Sequence, residues 1–476
     1  CAANVCGEHA DCTNTPGGYT CGACDPGYQS NGAGGCVDAN ECQNPASCVG
    51  LATCSNLPGS YECSCIPGYE GDGRVACADV DECARGTHDC AARATCTNTV
   101  GSFNCNCPIG TIDTYGDGRE CAGIRETAAG TGHTCAISTV GVLYCWGVNA
   151  RGQLGTGDVT SRVVPVRIGA NTDWTAVSAG GEDTCALRGS GELYCWGWNA
   201  FGQLGDSTNT ERHTPTRVGG SNDWSKLVAG YRHACAVRGG QLFCWGNNEE
   251  GQVGDGSNTN RNAPTRVGSA GDWSYVGAGM NHSCGIRNGL LFCWGNNSYG
   301  GVGDGTSDNS RAAPVQVGVA NTWTKVTGGD YHTCGLNSAG LHCWGYNSEG
   351  EVGDNTNVNR MVPTLVDAGA NWLHIALGTY HSCAIRGAGE LYCWGSNFYG
   401  ELGDGTTTNR AIPTRTGLLN NFSGVGSDGN HNCALRDELL YCWGLNEDGQ
   451  LGDGTTVNHR SPAIVTSYSD TPGGGS

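Results

Sequence analysis

The chain has 476 residues, among them 32 cysteines, 81 glycines and 2 methionines, and its formal net charge at pH 7 is -20. This acidity argues against a phosphate-binding surface, and so against nucleic acid and anionic membranes as partners. So many cysteines are hard to keep reduced and unpaired in a cytosol, which indicates a secreted or cell-surface protein in an oxidising environment. The glycine content predicts strands and loops with few helices. No apolar run is long enough to span a bilayer as a helix.

The N-terminal quarter is the most acidic and cysteine-rich part of the chain. Residues 1–122 hold 15 acids, 4 bases (net -11) and 18 cysteines, while the rest carries 30 acids and 21 bases (net -9). These 18 cysteines form three sets of six, each within a module of about forty residues. A module of that size cannot bury a sufficient core, so disulfides must supply its stability. Spacing alone leaves fifteen pairings open in each module.

The spacings, together with the stretches CSNLPGSYEC and CTNTVGSFNC, resemble epidermal growth factor (EGF)-like domains. The resemblance implies that the first cysteine of each module pairs with the third, the second with the fourth and the fifth with the sixth. The implied bonds are Cys1–Cys12, Cys6–Cys21, Cys24–Cys36, Cys42–Cys54, Cys48–Cys63, Cys65–Cys77, Cys83–Cys96, Cys90–Cys105 and Cys107–Cys121. The first module departs from the pattern because its CGAC stretch has one residue too many. As a thioredoxin-like redox motif, CGAC lacks the expected strand and helix around it.

The second and third modules resemble the calcium-binding subtype of this family. DANEC and DVDEC precede their first cysteines, and each module has an internal asparagine. Calcium prefers six to eight oxygen ligands, which carboxylates, amides and backbone carbonyls supply. The resemblance implies two calcium sites, with the side-chain ligands Asp38, Glu41 and Asn56 in one and Asp79, Glu82 and Asn98 in the other. The first module has no such acidic leader, so we expect no calcium there. The alternative is that these acids are only solvated loop residues.

One residue separates the last cysteine of a module from the next calcium aspartate, Val37 in one case and Ala78 in the other. A connection this short, closed by a metal, predicts a stiff rod.

From Ile124 onward the chain repeats itself every 49 or 50 residues. A period of this size is typical of a solenoid or a propeller. Each unit contains four short runs, typified by W-x-x-V, H-[ST]-C-A-[IV]-R, L-[YF]-C-W-G and P-x-x-V. Short runs divided by turns predict four-stranded blades, and a radial array of blades protects the sheet edges. The predicted fold class is therefore all-β.

The two cysteines of each unit lie nine or ten residues apart on the arms of a predicted hairpin. In CGIRNGLLFC, an Asn-Gly turn pairs Cys284 with Cys293, at a predicted Cα–Cα distance of about 4.5 to 5.5 Å. The units with spacing ten fit a three-residue loop and the same pairing. The predicted bonds are Cys135–Cys145, Cys185–Cys195, Cys235–Cys244, Cys284–Cys293, Cys334–Cys343, Cys383–Cys393 and Cys433–Cys442.

The seven copies of C-W-G-x-N-x-x-G over residues 124–466 resemble the repeat of the regulator of chromosome condensation family of seven-bladed propellers. We interpret the seven tryptophans of C-W-G as interblade core. We expect the histidines two residues before the first cysteine to hydrogen-bond turn backbone between blades. The second unit has Asp183 there. The G-D-G acids are interpreted as loop caps, with calcium as the alternative. These histidines and acids include His133, His431, Asp404 and Asp453.

No P-x-x-V run precedes Ile124, so we expect Pro462–Val465 to complete the blade that begins at Ile124. The predicted domains are EGF modules at 1–37, 38–78 and 79–122, a propeller at 123–466 and a Gly/Ser-rich tail at 467–476.

These features predict an extracellular structural or adhesive protein that acts through protein contacts, including contacts with copies of itself in a surface filament. The alternative is a secreted binder or inhibitor that grips one protein with a propeller face, as a secreted bacterial propeller of this family does. Nucleotide exchange, known in the family, would need cytosolic access and conflicts with sixteen predicted disulfides. The chain has no H-E-x-x-H and no G-K-[ST] phosphate loop, so no enzyme is predicted.

Overall fold

The computed structural model describes residues 5–368 and 371–473. The chain forms two compact units, one made of Cys1–Pro108 and Tyr115–Cys121, the other of Ile109–Thr114 and Ala122–Ser476. The predicted all-β class is confirmed. The helical segments of the described residues are one turn of α-helix, α1 (Glu82–Arg85), and a 3-10 turn at Glu41–Gln43.

The EGF modules are built from short antiparallel hairpins. Their strands are β1 (Ala10–Thr15), β2 (Gly18–Cys24), β3 (Tyr28–Ser30), β4 (Cys36–Asp38), β5 (Ala52–Leu57), β6 (Ser60–Cys65), β7 (Tyr69–Glu70), β8 (Ala78–Asp79), β9 (Thr95–Thr99), β10 (Ser102–Asn106), β11 (Ile112–Asp113) and β12 (Cys121–Ala122). The disulfides of the described residues in modules two and three join first to third, second to fourth and fifth to sixth cysteine, the order that the EGF resemblance implies. Cys6–Cys21 and Cys24–Cys36 follow the same order in module one, while Cys1 lies outside the described residues.

The second unit is a seven-bladed propeller, as predicted, and each blade has four antiparallel strands in chain order, to which blade 1 adds a fifth strand. Blade 1 contains β13 (Ile124–Ala129), β14 (His133–Ser138), β15 (Leu143–Gly147) and β16 (Arg162–Ile168), and blade 2 contains β17 (Trp174–Ala179), β18 (Asp183–Arg188), β19 (Glu192–Gly197) and β20 (Arg212–Arg217). Blade 3 contains β21 (Trp224–Ala229), β22 (His233–Arg238), β23 (Gln241–Gly246) and β24 (Arg261–Arg266), and blade 4 contains β25 (Trp273–Ala278), β26 (His282–Arg287), β27 (Leu290–Gly295) and β28 (Arg311–Gln316).

Blades 5 to 7 repeat the same order. Their strands are β29 (Lys325–Gly328), β30 (His332–Asn337), β31 (Gly340–Gly345), β32 (Arg360–Ala368); β33 (Trp372–Leu377), β34 (His381–Arg386), β35 (Glu390–Gly395), β36 (Arg410–Arg415); and β37 (Phe422–Asp428), β38 (His431–Arg436), β39 (Leu439–Gly444), β40 (His459–Ile464). A last strand, β41 (Ser469–Gly473), follows.

The hairpin register is the predicted one. In blade 4, Arg287 pairs with Leu290 and Cys284 with Cys293. All seven blades carry the predicted disulfide, between cysteines that are at most 1% exposed. The paired Cα atoms are 4.0 to 4.1 Å apart, closer than we predicted.

The expected ring closure is wrong. Pro462 lies in β40, which pairs with β39 inside blade 7. The two strands are consecutive in the chain, so they can pair as antiparallel neighbours, and β40 need not move to blade 1. The ring closes differently. After Val465 the chain crosses to blade 1, where β41 pairs in parallel with β16 as a fifth strand. The predicted tail therefore contains a strand, and residues 474–476 lie outside the described residues.

The core of the propeller lies between blades rather than within them. Seven apolar clusters each join one blade to the next, and the cluster between blades 7 and 1 includes Tyr144, Trp146, Leu440 and Val465. Tyr468, just before β41, packs against this cluster, with its ring 5.6 Å from that of Tyr144. Ring closure therefore buries apolar surface from both ends of the propeller sequence.

Candidate calcium sites and propeller faces

The structure brings two of the three proposed calcium ligands of module two into direct contact. Asp38 ends β4 and Asn56 lies in β5, and Asn56 Nδ2 is 2.5 Å from Asp38 Oδ2. Asp38 Oδ1 accepts a hydrogen bond of 2.6 Å from the Gly59 amide. Glu41 begins the 3-10 turn, and its Oε2 atom is buried without a hydrogen-bond partner. A buried carboxylate oxygen without a donor is costly, and a cation would remove that cost.

Module three repeats this arrangement. Asn98 Nδ2 donates to Asp79 Oδ2 at 2.8 Å, and the Gly101 amide donates to Asp79 Oδ1. The Gly101 amide first, and then the Asn98 side chain, lower the pKa of Asp79, which keeps it a carboxylate. Glu82 Oε2 and Asn98 Oδ1 are buried without a partner. These two oxygens and the Asp79 carboxylate form an oxygen-only donor set, which fits calcium.

One glycine in each site also packs against the preceding module. Gly59 and Gly101 have φ values of 73° and 77°, a left-handed backbone that favours glycine. A Cβ atom on Gly59 would lie 2.7 Å from the ring of Tyr28, and one on Gly101 would lie 2.8 Å from the ring of Tyr69. Each glycine therefore donates its amide hydrogen to the aspartate and packs its Cα against the tyrosine of the preceding module.

Two other candidate sites in the EGF unit, one redox and one metal, are excluded because their cysteines are in structural disulfides. The cysteines of CGAC are bonded elsewhere, Cys21 to Cys6 and Cys24 to Cys36, so they are not paired with each other. His88 lies near the sulfurs of Cys90 and Cys96, but both sulfurs are in disulfides and cannot act as thiolate ligands.

The six histidines that stand two residues before the first hairpin cysteine of a blade link neighbouring blades, as expected, but their partners are side chains rather than turn backbone. His133 Nε2 lies 2.8 Å from Thr184 Oγ1 of the next blade, whose hydroxyl donates to the Gln153 carbonyl at 2.8 Å. Burial lowers the pKa of His133 to about 4, so the ring is neutral. The corresponding pairs are His233–Ser283, His282–Thr333, His332–Ser382, His381–Asn432 and His431–Thr134. The expected backbone partner is wrong because the side chain one residue after the next histidine position, a hydroxyl in five blades and Asn432 in one, lies within hydrogen-bond distance of the ring.

The C-W-G tryptophans are interblade core, as interpreted. All seven are completely buried, and each indole donates to a backbone carbonyl of the preceding blade; for Trp196 the acceptor is Gln153 at 2.9 Å. The G-D-G acids cap loops. Asp404 accepts hydrogen bonds from the Thr406 amide and hydroxyl and pairs with Arg410 at 2.9 Å. These hydrogen bonds agree with the loop-cap interpretation of the G-D-G acids.

Two faces of the propeller can be distinguished. Face A holds the turn between the first and second strands of each blade and the loop after the third strand; face B holds the hairpin turns. Face A carries exposed aromatics that the sequence analysis did not single out. Phe398 is 68% exposed, and Tyr346, Tyr380 and Phe398 border a cavity of about 410 Å³.

Buried carboxyls also lie on face A. Glu351 and Glu401 stand where the aligned repeats of four other blades have glutamine, a signal that aligning the repeats would have revealed. Burial raises the pKa of Glu351 to about 7 and that of Asp330 to about 6. Asp330 and Asp428 line the central channel, whose volume is about 220 Å³.

These features define a class, a disulfide-bonded propeller preceded by EGF modules, and comparison with known proteins agrees. The profile of the regulator of chromosome condensation (RCC1) repeat matches seven stretches that cover more than half of the chain, so the chain belongs to this family. The matches are 141–187, 190–237, 239–286, 288–336, 339–385, 388–435 and 437–472. The calcium-binding EGF domain profile matches 1–36, 38–77 and 79–123, and the chain has three such domains. The first of them is the module in which the sequence predicts no calcium.

Similar proteins with curated descriptions match short stretches. Fibulin-1 of Caenorhabditis elegans is 46% identical over 65 residues, which cover 13% of this chain and 9% of that protein. Human adhesion G protein-coupled receptor E2 is 41% identical over 71 residues, which cover 13% and 8%. The chain therefore spans less than a tenth of the length of these relatives.

Solved structures support the propeller fold. Human WBSCR16 superimposes with a TM-score of 0.61 at 22% identity, covering 68% of this chain and 94% of that one. Yeast RCC1 (Prp20), solved bound to Kap60, has a TM-score of 0.61 at 19% identity, covering 73% and 84%. At these identities the likeness shows the fold alone.

The disulfides indicate an extracellular or secreted protein, and the EGF domain profile indicates that the chain binds calcium through its EGF domains. In the described part of the chain, no helix is both long and apolar enough to cross a membrane.

Proposed function

We propose that the chain is a structural or adhesive protein of the extracellular space, in which calcium stiffens the EGF modules and the propeller provides hardened surfaces for protein contacts. The observation that carries this proposal is the joint that occurs twice, at Asp38 and at Asp79. At each joint an aspartate is bonded to an asparagine and to a glycine amide, and the glycine packs on a tyrosine of the preceding module.

Calcium would act on the joint through these residues. Asp38, Glu41 and Asn56 would hold one ion, and Asp79, Glu82 and Asn98 the other, with backbone carbonyls completing each shell. Each ion would connect the segment before the first cysteine with the hairpin that carries the asparagine. Because only Val37 or Ala78 separates the modules, fixing that segment also fixes the neighbouring module.

The propeller supplies surfaces that resist unfolding. In each blade one disulfide closes a loop of nine or ten residues, which stabilises that loop by about 2 to 3 kcal/mol in the chain-entropy model. A scaffold of this kind suits a protein that must hold its shape outside the cell, either in contact with a neighbouring surface or with copies of itself in a filament.

A second function is favoured by the exposed aromatics of face A. Phe398, Tyr399 and the cavity beside them are features of protein interfaces, so a soluble binder of a single partner is the alternative.

Electron microscopy of the full chain, with calcium and after chelation, tests these proposals. Filaments or surface-bound arrays that loosen on chelation support the structural function. Single particles under both conditions, with unchanged EGF modules, would contradict it and favour the single-partner binder. Magnesium in place of calcium is the control for a general effect of divalent charge.

A further inference from the structure

An arginine on face A is surrounded by aromatic rings. The Arg232 guanidinium is 5.0 Å from the ring centroids of Trp198 and Tyr231. It is 5.2 Å from the ring centroid of Phe201. Tyr231 and Arg232 come from the turn before β22, and the other two residues come from the loop after β19, so this Arg232 cage spans blades 2 and 3. All four residues are partly exposed, and a partner can reach them.

The other propeller arginines that lie over an aromatic ring are each paired with a carboxylate. Arg386 lies 4.1 Å from the ring centroid of Tyr392 and 3.1 Å from an Asp367 carboxylate oxygen. The remaining pairs, with nitrogen–oxygen distances of 3.0 to 3.9 Å, are Arg151–Glu211, Arg188–Asp173, Arg238–Asp223 and Arg287–Asp272. In this chain, an arginine over a ring therefore also has an acidic partner.

Arg232 is the exception to this pairing. Within residues 5–368 and 371–473, no carboxylate oxygen lies within 4.0 Å of its guanidinium. Its Nε atom is buried and has no hydrogen-bond partner. Taking part of a charged group out of water without pairing it costs free energy. A carboxylate from outside the chain would therefore stabilise the Arg232 cage.

The propeller repeat does not require this cage. The position of Arg232 is asparagine in blades 4 and 7 and tyrosine in blades 5 and 6. The position of Trp198 is valine in blade 1, and that of Phe201 is glutamate in blades 3 and 5. Since other blades fold without these residues, the cage is additional to the interblade core. Tryptophan, tyrosine and arginine are also the residues that contribute most to binding at protein interfaces.

We propose that the Arg232 cage, made of Trp198, Phe201, Tyr231 and Arg232, binds an aspartate or glutamate side chain of a partner protein. In this complex the guanidinium donates hydrogen bonds to the carboxylate as a planar fork. The rings pack on the apolar residues beside that acid and exclude water from the ion pair. This inference names the chemistry of the partner and rests on the proposed function in protein–protein contact.

A single acidic side chain fits this surface better than a polyanion does. Arg151, the second arginine near the cage, is already paired with Glu211 at 3.0 Å. The face A segments of blades 2 and 3 also carry Glu182 and Glu249, and the net charge of the chain is -20. A sulfated polysaccharide needs several cations and would be repelled by these acids. One carboxylate needs only the caged guanidinium.

The test is a titration of the end-blocked peptide Gly-Leu-Glu-Leu-Gly with the calcium-loaded full chain, followed by the NMR signals of the peptide in about 0.15 M salt. We expect saturable binding that weakens about 10-fold or more when glutamine replaces the glutamate of the peptide, and equally in Arg232→Asn. This variant should fold, since blades 4 and 7 have asparagine at this position. Trp198→Val, which copies blade 1, should weaken binding about 3-fold or more.

The matched control is Arg266→Asn, also in blade 3. Arg266 is the exposed last residue of β24, and its guanidinium donates to the Ser269 carbonyl at 2.8 Å. This change removes the same charge and should alter the affinity by less than about twofold. Equal losses in the two arginine variants would overturn the proposal, because binding would then follow net charge. No binding of the glutamate peptide, equal binding of the glutamine peptide, or binding of a heparin hexasaccharide but not of the peptide would overturn it too.

Electron microscopy of the same samples separates this proposal from the proposed function. Calcium-dependent arrays of a chain that does not bind the glutamate peptide would overturn the carboxylate site alone. Peptide binding that depends on Arg232, in a chain without arrays, would overturn the structural function and leave the carboxylate site in place.

Discussion

His133 of blade 1 and Thr184 of blade 2 are joined by a 2.8 Å contact between Nε2 and Oγ1 across the interblade core. Because the Thr184 hydroxyl donates to the Gln153 carbonyl, the histidine must be the donor at Nε2. One junction lacks this bond: the histidine position of blade 2 is Asp183, and the hydroxyl position of blade 3 is Ala234. Both carboxylate oxygens of Asp183 are buried without a partner, and burial raises its pKa well above the ordinary value.

Repairing that junction should stabilise the propeller. The double change Asp183→His/Ala234→Ser restores the pair found in His233–Ser283, and we expect a gain of about 1 to 2 kcal/mol in the free energy of unfolding. The measurement is denaturant unfolding with disulfides intact, followed by tryptophan fluorescence. The reverse change, His233→Asp/Ser283→Ala, serves as the control and should lower stability. Loss of stability in the repaired protein would contradict this account of the junction.

The buried histidines predict acid sensitivity. Burial lowers their pKa from 6.5 to about 3 or 4, so between those values the unfolded chain binds more protons than the folded one. Their contribution to stability is therefore complete above pH 6.5 and decreases as the pH falls below it. We expect the thermal midpoint of the propeller to drop steeply between pH 6 and pH 4, and less steeply in His133→Gln. His213→Gln, at a partly exposed site, should leave the profile unchanged.

Glu351 predicts that the stability of the propeller falls as the pH rises, the opposite of the effect of the histidines. Burial raises its pKa from 4.5 to about 7, so the folded state binds more protons between these values and stability decreases as the pH rises through them. Glu351→Gln removes this charge and should raise stability by about 1 to 3 kcal/mol at pH 8, with little effect at pH 4. Unfolding curves at both pH values measure this difference. A gain of the same size at pH 4 would show that packing, not charge, is responsible.

The contact that closes the propeller predicts that Tyr468 stabilises it. Its ring packs edge-on against Tyr144 and belongs to the cluster between blades 7 and 1. Tyr468→Ala should destabilise the propeller by about 2 kcal/mol, less than the loss of a fully buried aromatic side chain, because Tyr468 is partly buried. Val457→Ala, at a residue 65% exposed in the loop before β40, is the control. An unchanged unfolding midpoint in Tyr468→Ala would mean that the propeller is equally stable without the packing of the segment between Val465 and β41 on blade 1.

The hairpins could be predicted from the sequence and the closure could not. An Asn-Gly turn between two cysteines leaves one register that pairs Cys284 with Cys293, so local chemistry decides the hairpin. Ring closure depends on a parallel pairing between β41 and β16, strands separated by most of the propeller, and no local pattern near Ser469 indicates it. The tyrosines of face A were missed for a related reason. Tyr299 and Tyr331 come from neighbouring blades and from different positions of the repeat, so only the packing of one blade on the next brings their rings together.

Calorimetric titration of calcium into the full chain tests the central claim most directly. The account predicts two bound ions, with one lost in Glu82→Gln and the other in Glu41→Gln, since each glutamate oxygen is buried without a protein partner. Glu62→Gln, which removes an exposed charge from module two, should keep both ions. No calcium binding, or two ions bound unchanged in both site variants, would contradict the assignment of the joints as calcium sites.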